Sequence, residues 1–193
     1  MSKSIKFTQS QIKAYENGAT MFMFPIDDSI HTGLIGRNNY NVGFIKKHSP
    51  LQIGDKDVFI KEEFQTGNNL RDIQNQPLDK DVDILYKHFQ FNSNKHNKEW
   101  AEVTIWEDTS DMTKDQCRYS LKEVVDVKIV RIKEVNLGEA IKSTVGTYNR
   151  ENGIQIMEYF KIIENNYSQQ LKEQNISRTY NDNDYVFLIE IKR

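Results

Sequence analysis

At 193 residues, 37% hydrophobic and 28% charged, the chain suits one domain with a single core, or a small domain carrying long loops. Nine glycines and three prolines exclude a collagen-like chain, and abundant aromatic residues at a net charge of −2 argue against global disorder. No stretch approaches the roughly 18 uninterrupted apolar residues of a membrane span. Met1 to Thr8 is charged with no apolar run behind it, so the expectation is a soluble, cytoplasmic protein without a signal peptide. With 26 basic residues against 28 acidic ones, a nucleic-acid role needs a local basic patch or a pocket for one nucleotide. A lone cysteine, Cys117, allows neither an intramolecular disulfide nor a thiolate zinc cage, and reads as a buried structural thiol.

In chain order, Ser4 to Phe7 reads as a short strand handing over to a helix. Thr8 with Gln11 has the spacing of a capping box, Ile12 and Tyr15 share a face, and Asn17-Gly18 stops the helix. Thr20 to Phe24 runs apolar into Pro25 as a buried strand would. From Asp27 to Pro50 the pattern fades, and Gly33, Gly36, Asn38, Asn39 and Gly43 predict a long loop insert with a short strand at Val42 to Ile45. Leu51 to Asp55 is a turn into a strand at Val58 to Phe64. Val82 to Phe91 fits a helix through Ile84, Leu85 and His88 or a strand through Tyr86, Phe89 and Phe91. As a strand it could form a hairpin with Trp100 to Trp106 across an asparagine-rich turn. Tyr119 to Val135 is the longest β-branched run, with a parity change that predicts a bulge near Ile129. Asn136 can cap a short helix through Ile141. Ile156, Phe160, Ile163, Tyr167 and Leu171 recur at four and three, the face of a helix, and Tyr185 to Lys192 is a buried terminal strand. The class is α+β around a mainly antiparallel, barrel-like sheet.

This order of segments resembles the ASCH domains of phages and prophages, in the PUA-like superfamily. The resemblance runs through Ile5-Lys6-Phe7 and a helix, Gly18-Ala19-Thr20, Ile53-Gly54-Asp55, Val58 to Phe64, Met112 to Arg118, Glu139-Ala140-Ile141 and the closing Tyr185 to Glu190. It covers nearly the whole chain, as a single domain over 1–193 with an insert at about 27–50. It implies a mainly antiparallel PUA-like barrel with helices packed around it, binding RNA or a nucleotide in a cleft at the barrel mouth. The family's Gly-Arg-Lys-Thr-Gln-Thr-Arg-Arg turn stands here as Asn17 to Phe24, which keeps Thr20 but puts Ala19 at the Lys position and Met23 and Phe24 at the two Arg positions. One branch of the superfamily is similar to amidohydrolases acting on N4-acetylcytidine through a Lys, a Thr and a Glu. Thr20 and Glu62 match, and the lost Lys argues against that activity, since a threonine hydroxyl without a nearby cation or base is a poor nucleophile.

The binding candidates are therefore Thr20, Lys61, Glu62, Trp106 and Arg118, of which Thr20 and Glu62 are also the catalytic candidates. Arg118 can hold a phosphate or base edge bidentately, or make a structural ion pair with Asp111 or Asp115. Lys61-Glu62 reads as an anion-steering cation with a base, or as a solvated strand pair. Trp100 and Trp106 offer stacking faces or core rings. Gly33-Leu34-Ile35-Gly36-Arg37 has a spacing that lets amides approach a phosphate, and it is also common loop sequence. The basic residues Lys122, Lys128, Arg131 and Lys133 do not form a clean stripe on a strand, and His31, His48, His88 and His96 lack metal-ligand spacing. No cofactor or metal is expected. Three functions stay open: a nucleic-acid or nucleotide-binding module, an amidohydrolase or nuclease of the same superfamily, and a phage accessory protein that binds a host protein.

Overall fold

The computed structural model describes residues 3–34, 42–66, 84–86, 109, 112–144 and 156–193. The first part of the chain forms β1 (Ser4–Lys6), α1 (Gln9–Glu16), β2 (Met21–Pro25), α2 (Asp28–Leu34) and α3 (Val42–His48). Then come β3 (Lys56–Lys61), β4 (Phe64–Thr66), β5 (Ile84–Tyr86), β6 (Tyr119–Arg131), α4 (Leu137–Thr144), α5 (Ile156–Glu173) and β7 (Tyr185–Lys192). Five strands make one sheet in the order β1-β3-β6-β7-β2, parallel only between β1 and β3, while β4 and β5 pair separately. The class is α+β, with a mixed sheet.

The sheet is not closed into a barrel. β1 and β2 lie at its opposite edges, yet Phe7, just past β1, has its ring centroid 4.7 Å from that of Phe22 and 5.8 Å from that of Phe24 on β2. The sheet therefore curls until its edges meet through side chains rather than through backbone hydrogen bonds. Helix α1 connects the two edges. Its capping box is the expected one: Gln11 N donates to Thr8 Oγ1 at 3.3 Å and Thr8 N donates to Gln11 Oε1 at 2.9 Å. The same Gln11 side chain, buried, donates from Nε2 to the Met23 carbonyl of β2 at 3.0 Å. At the far end Gly18, at φ 104°, supplies the left-handed residue that ends the helix.

Two apolar clusters lie on the two faces of this sheet. Phe22, Phe24, Phe187, Ile189 and Ile191 pack with Phe7, Ile12 and Tyr15 on one face. Met21, Met23, Val186 and Leu188 pack with Ile163, Tyr167 and Leu171 of α5 on the other. β7 is thus covered on both sides, as its continuous apolar run requires. Each such large side chain contributes roughly 1.5–3 kcal/mol on burial.

Four expectations are corrected. The segment from Asp27 is not a loop with a strand at 42–45: its described parts are helices α2 and α3. Asp27 starts α2 by accepting Ser29 N on Oδ1 at 2.9 Å, and its carbonyl accepts the amides of Ile30 and His31. Tertiary partners on β7 and after α5 then outweigh the weak helix propensity of Gly33. Gly33 is consequently a helical residue, not part of a phosphate-cradling loop, and Gly36 and Arg37 lie outside the described residues. The strand drawn from Val58 to Phe64 breaks after Lys61, and Phe64 starts β4. β5 pairs with β4, and the expected partner strand at Trp100 to Trp106 lies outside the described residues. The bulge falls at Val125, where the β6–β7 register shifts between Val124 and Asp126, not near Ile129. Val125 is exposed there, so the extra residue is turned out to solvent.

Replacing Gln11 by Met keeps the volume and removes the cap acceptor and the donor to β2. Urea unfolding is expected to show a loss of roughly 1–3 kcal/mol, from the orphaned Met23 carbonyl and the lost cap together. A loss no larger than that of an exposed control such as Lys13→Met would show that α1 does not pin the edge.

Candidate functional site

Arg118 immediately precedes β6 and Glu62 immediately follows β3. Because these strands are antiparallel with Ile60 opposite Tyr119, both side chains leave the sheet at the same end. They meet in a bidentate pair: Arg118 Nε donates to Glu62 Oε1 at 2.9 Å and Nη2 to Oε2 at 2.7 Å. The Glu62 side chain is 3% exposed and that of Arg118 18%. Arg118 Nη1 donates to the Tyr119 hydroxyl at 3.3 Å, and that hydroxyl donates to Glu16 Oε1 at 2.5 Å. Glu16 ends α1, so this cluster ties the helix to the start of β6.

Electrostatics agree with a closed structural cluster. Burial disfavours the charge on Arg118, but its hydrogen bond and attraction to Glu62 outweigh that and raise its pKa. Burial, with the hydrogen bond to Glu16, pushes the Tyr119 hydroxyl up to about 12. Burial also raises the Cys117 thiol, against the pull of Lys61, so Cys117 is held as a thiol rather than an activated thiolate. Among the described residues Arg118 thus pairs with Glu62 and not with Asp115, and Asp111 lies outside them. Two of the binding candidates spend their hydrogen-bonding capacity largely on each other.

The other candidates lie apart or outside. Thr20 precedes β2, its amide donating to the Lys142 carbonyl at 3.3 Å and its carbonyl accepting Ile191 N at 2.8 Å. Ile191 faces Val124 across β6–β7, whereas Arg118 lies beyond the other end of the β3-paired half of β6. Thr20 and Glu62 therefore do not converge as nucleophile and base. Ala19, at the position of the family's Lys, is a fully buried core residue. Lys61 sits beside Lys6 in the β1–β3 register, half-buried. Trp106 lies outside the described residues. Among the described residues, no group of three His, Cys, Asp or Glu side chains is placed to hold a metal.

A cleft that sequence reasoning missed opens where the two sheet edges approach. Its volume is about 360 Å³. Ile5, Phe24, Phe187, Ile30 and Ile176 give it an apolar floor, while Lys6, Asp27, His48 and Gln174 bring polar groups. Helix α2 and the segment after α5 are its walls. Its lining is assembled from five separate stretches, none of which the sequence marks as a binding candidate. No family profile matches the chain, and no curated protein or solved structure is significantly similar to it.

Removing one partner of the buried pair leaves the other charge uncompensated. Arg118→Met is expected to cost roughly 3–5 kcal/mol in urea unfolding. Arg118→Met with Glu62→Leu should recover most of that loss, because the apolar pair carries no desolvation cost. A double variant as unstable as the single one would mean that the pair does not act as a unit.

Proposed function

We propose that this protein is a nucleotide-binding module of the ASCH, PUA-like kind, taking one unpaired base, free or at the exposed end of a single-stranded RNA, in the cleft between the sheet edges. The observation that carries this reading is the cleft itself: a volume of about 360 Å³, an apolar floor for a base, and Lys6 and His48 available to an anion. The segment order and the curled sheet, with α1 across its opening, support the PUA-like assignment.

The charge distribution supports a ligand with few phosphates. Lys128 pairs with Glu139, Lys142 with Glu190 and Lys192 with Glu123, and Arg131 donates to the Tyr185 hydroxyl at 2.9 Å. Three of the basic residues on and around β6 are thus matched by acids and a fourth by a tyrosine hydroxyl, which disfavours a broad surface for the nucleic-acid backbone. The separation of Thr20 from Glu62 and the buried Ala19 favour binding over amide hydrolysis. No helix among the described residues is long and apolar enough to cross a membrane.

Calorimetric titration with mononucleotides and short single-stranded RNAs tests the reading. Lys6→Ala is expected to weaken binding by roughly 1.5–3 kcal/mol, the worth of a charge-assisted hydrogen bond. Ile176→Trp, which fills the cleft, should abolish binding. The affinity of RNA should fall with salt at a logarithmic slope near −0.7, that of about one neutralised phosphate on a single strand. A slope several times steeper, or full affinity in both variants, would move the site elsewhere. If no nucleotide or RNA binds, the protein-binding accessory role takes precedence.

A further inference from the structure

Behind the cleft, its two walls are joined by a polar cluster that runs from Asp28 and Ser177 at the surface to the buried His31 and Asp184. Asp28 of α2 accepts Arg178 Nη1 on Oδ1 at 2.5 Å and Ser177 Oγ on Oδ2 at 3.0 Å. Arg178 Nη2 donates to the Tyr167 hydroxyl at 2.9 Å, and its Nε lies 3.4 Å from Asp184 Oδ2. One residue beyond Ile30, His31 accepts the backbone N–H of Tyr185 on Nε2 at 3.1 Å, with Asp184 Oδ1 3.5 Å from the same nitrogen. The bond from β7 to α2 thus exists only while Nε2 keeps its lone pair, in the neutral tautomer protonated on Nδ1.

We propose that α2 is an acid-releasable wall of the cleft, undocked from β7 when His31 takes a proton. A proton on Nε2 sets a donor against the Tyr185 N–H, at a residue only 8% exposed. The ring then has to turn away, leaving a buried backbone donor without its acceptor. The groups facing the ring are Asp28 on α2, Arg178 after α5, and Asp184 and Tyr185 at the start of β7, with the Tyr167 hydroxyl of α5 bonded to Arg178. Arg131 of β6 stands behind the Tyr185 hydroxyl. Asp184 and Asp28 favour the imidazolium, but Arg178 already engages both carboxylates. Burial first, and then the Arg178 charge, hold the His31 pKa below its ordinary value.

The sign follows from that depression. A released α2 exposes an imidazole that titrates near 6.5, while the docked one titrates lower. Docking carries no proton penalty above about pH 6.5, and loses up to about tenfold in its equilibrium constant per pH unit below it, down to the docked pKa. Release itself is independent of the nucleotide-binding reading; only its effect on a ligand rests on that reading.

Amide hydrogen exchange on the full chain without ligand, corrected for intrinsic rates, tests the release. Between about pH 7.5 and 5.5, protection at Ile30 and His31 should fall relative to Phe187 and Ile189 by up to about tenfold in all, most of it over the last unit. In His31→Gln, whose amide oxygen can accept the Tyr185 N–H without titrating, the fall should vanish. A fall of equal size in His31→Gln, or none in the unaltered protein, overturns the proposal. Should the variant not fold, the His31 imidazole titration followed by NMR replaces it: its midpoint should track the loss of α2 protection, and a mismatch overturns the proposal. Nucleotide titration at both pH values separates the two readings, because binding unchanged while α2 is released would overturn the cleft as the ligand's place and leave the release standing.

Discussion

A sheet that curls without closing leaves two strand edges to be satisfied, and in this chain a single short helix serves both. Gln11 is the pivot. Its Oε1 closes the cap that starts α1 directly after β1, and its Nε2 reaches the Met23 carbonyl on the opposite edge. A residue with both an acceptor and a donor at the end of a two-carbon stem is needed, which glutamine supplies and glutamate, methionine or leucine do not. With that bond made, Phe7 meets Phe22 and Phe24 and the inner core becomes continuous around the curl. The cleft is a consequence of the same geometry, lying where the edges approach without pairing.

The ion pair of Arg118 and Glu62 serves a different end. Both charges are drawn largely out of water, a cost that attraction alone does not reliably repay. The pair supplies geometry: two parallel bonds fix the exit of β3 relative to the entry of β6, and Tyr119 passes that constraint to Glu16 at the end of α1. It also withdraws Arg118 and Glu62, two of the binding candidates, from ligand chemistry. A site that looks reactive as a string of residue types becomes structural once its members find one another.

What was legible in the sequence was local. The capping box at Thr8, the Asn136 cap with Glu139, the α5 face and the apolar run of β7 all depend on neighbours within a few residues, and all stand where expected. What was illegible depends on distant partners. α2 and its Gly33 become helical against Arg178, Ser177 and Tyr185, nearly the length of the chain away. The bulge at Val125 is decided by the β7 partner, because either parity of β6 could have been buried. The ion pair joins Glu62 to Arg118 across an intervening stretch with no periodic link between them, so nearer acids looked equally good. The cleft, gathered from five stretches, had no linear signature at all.

The placement of β7 has a consequence for how the chain comes off the ribosome. β2 is made well before its hydrogen-bonded neighbour in the sheet, β7, which follows every other strand of that sheet in chain order. Until β7 emerges, Met21-Phe22-Met23-Phe24 waits with apolar side chains on both faces and its backbone edges open, the profile of a segment that seeks another copy of itself. Pro25, which lacks an amide hydrogen, closes that segment, and α1 can already cap one of its carbonyls through Gln11. The helix that shapes the finished sheet is therefore also in position to chaperone its most vulnerable strand during synthesis.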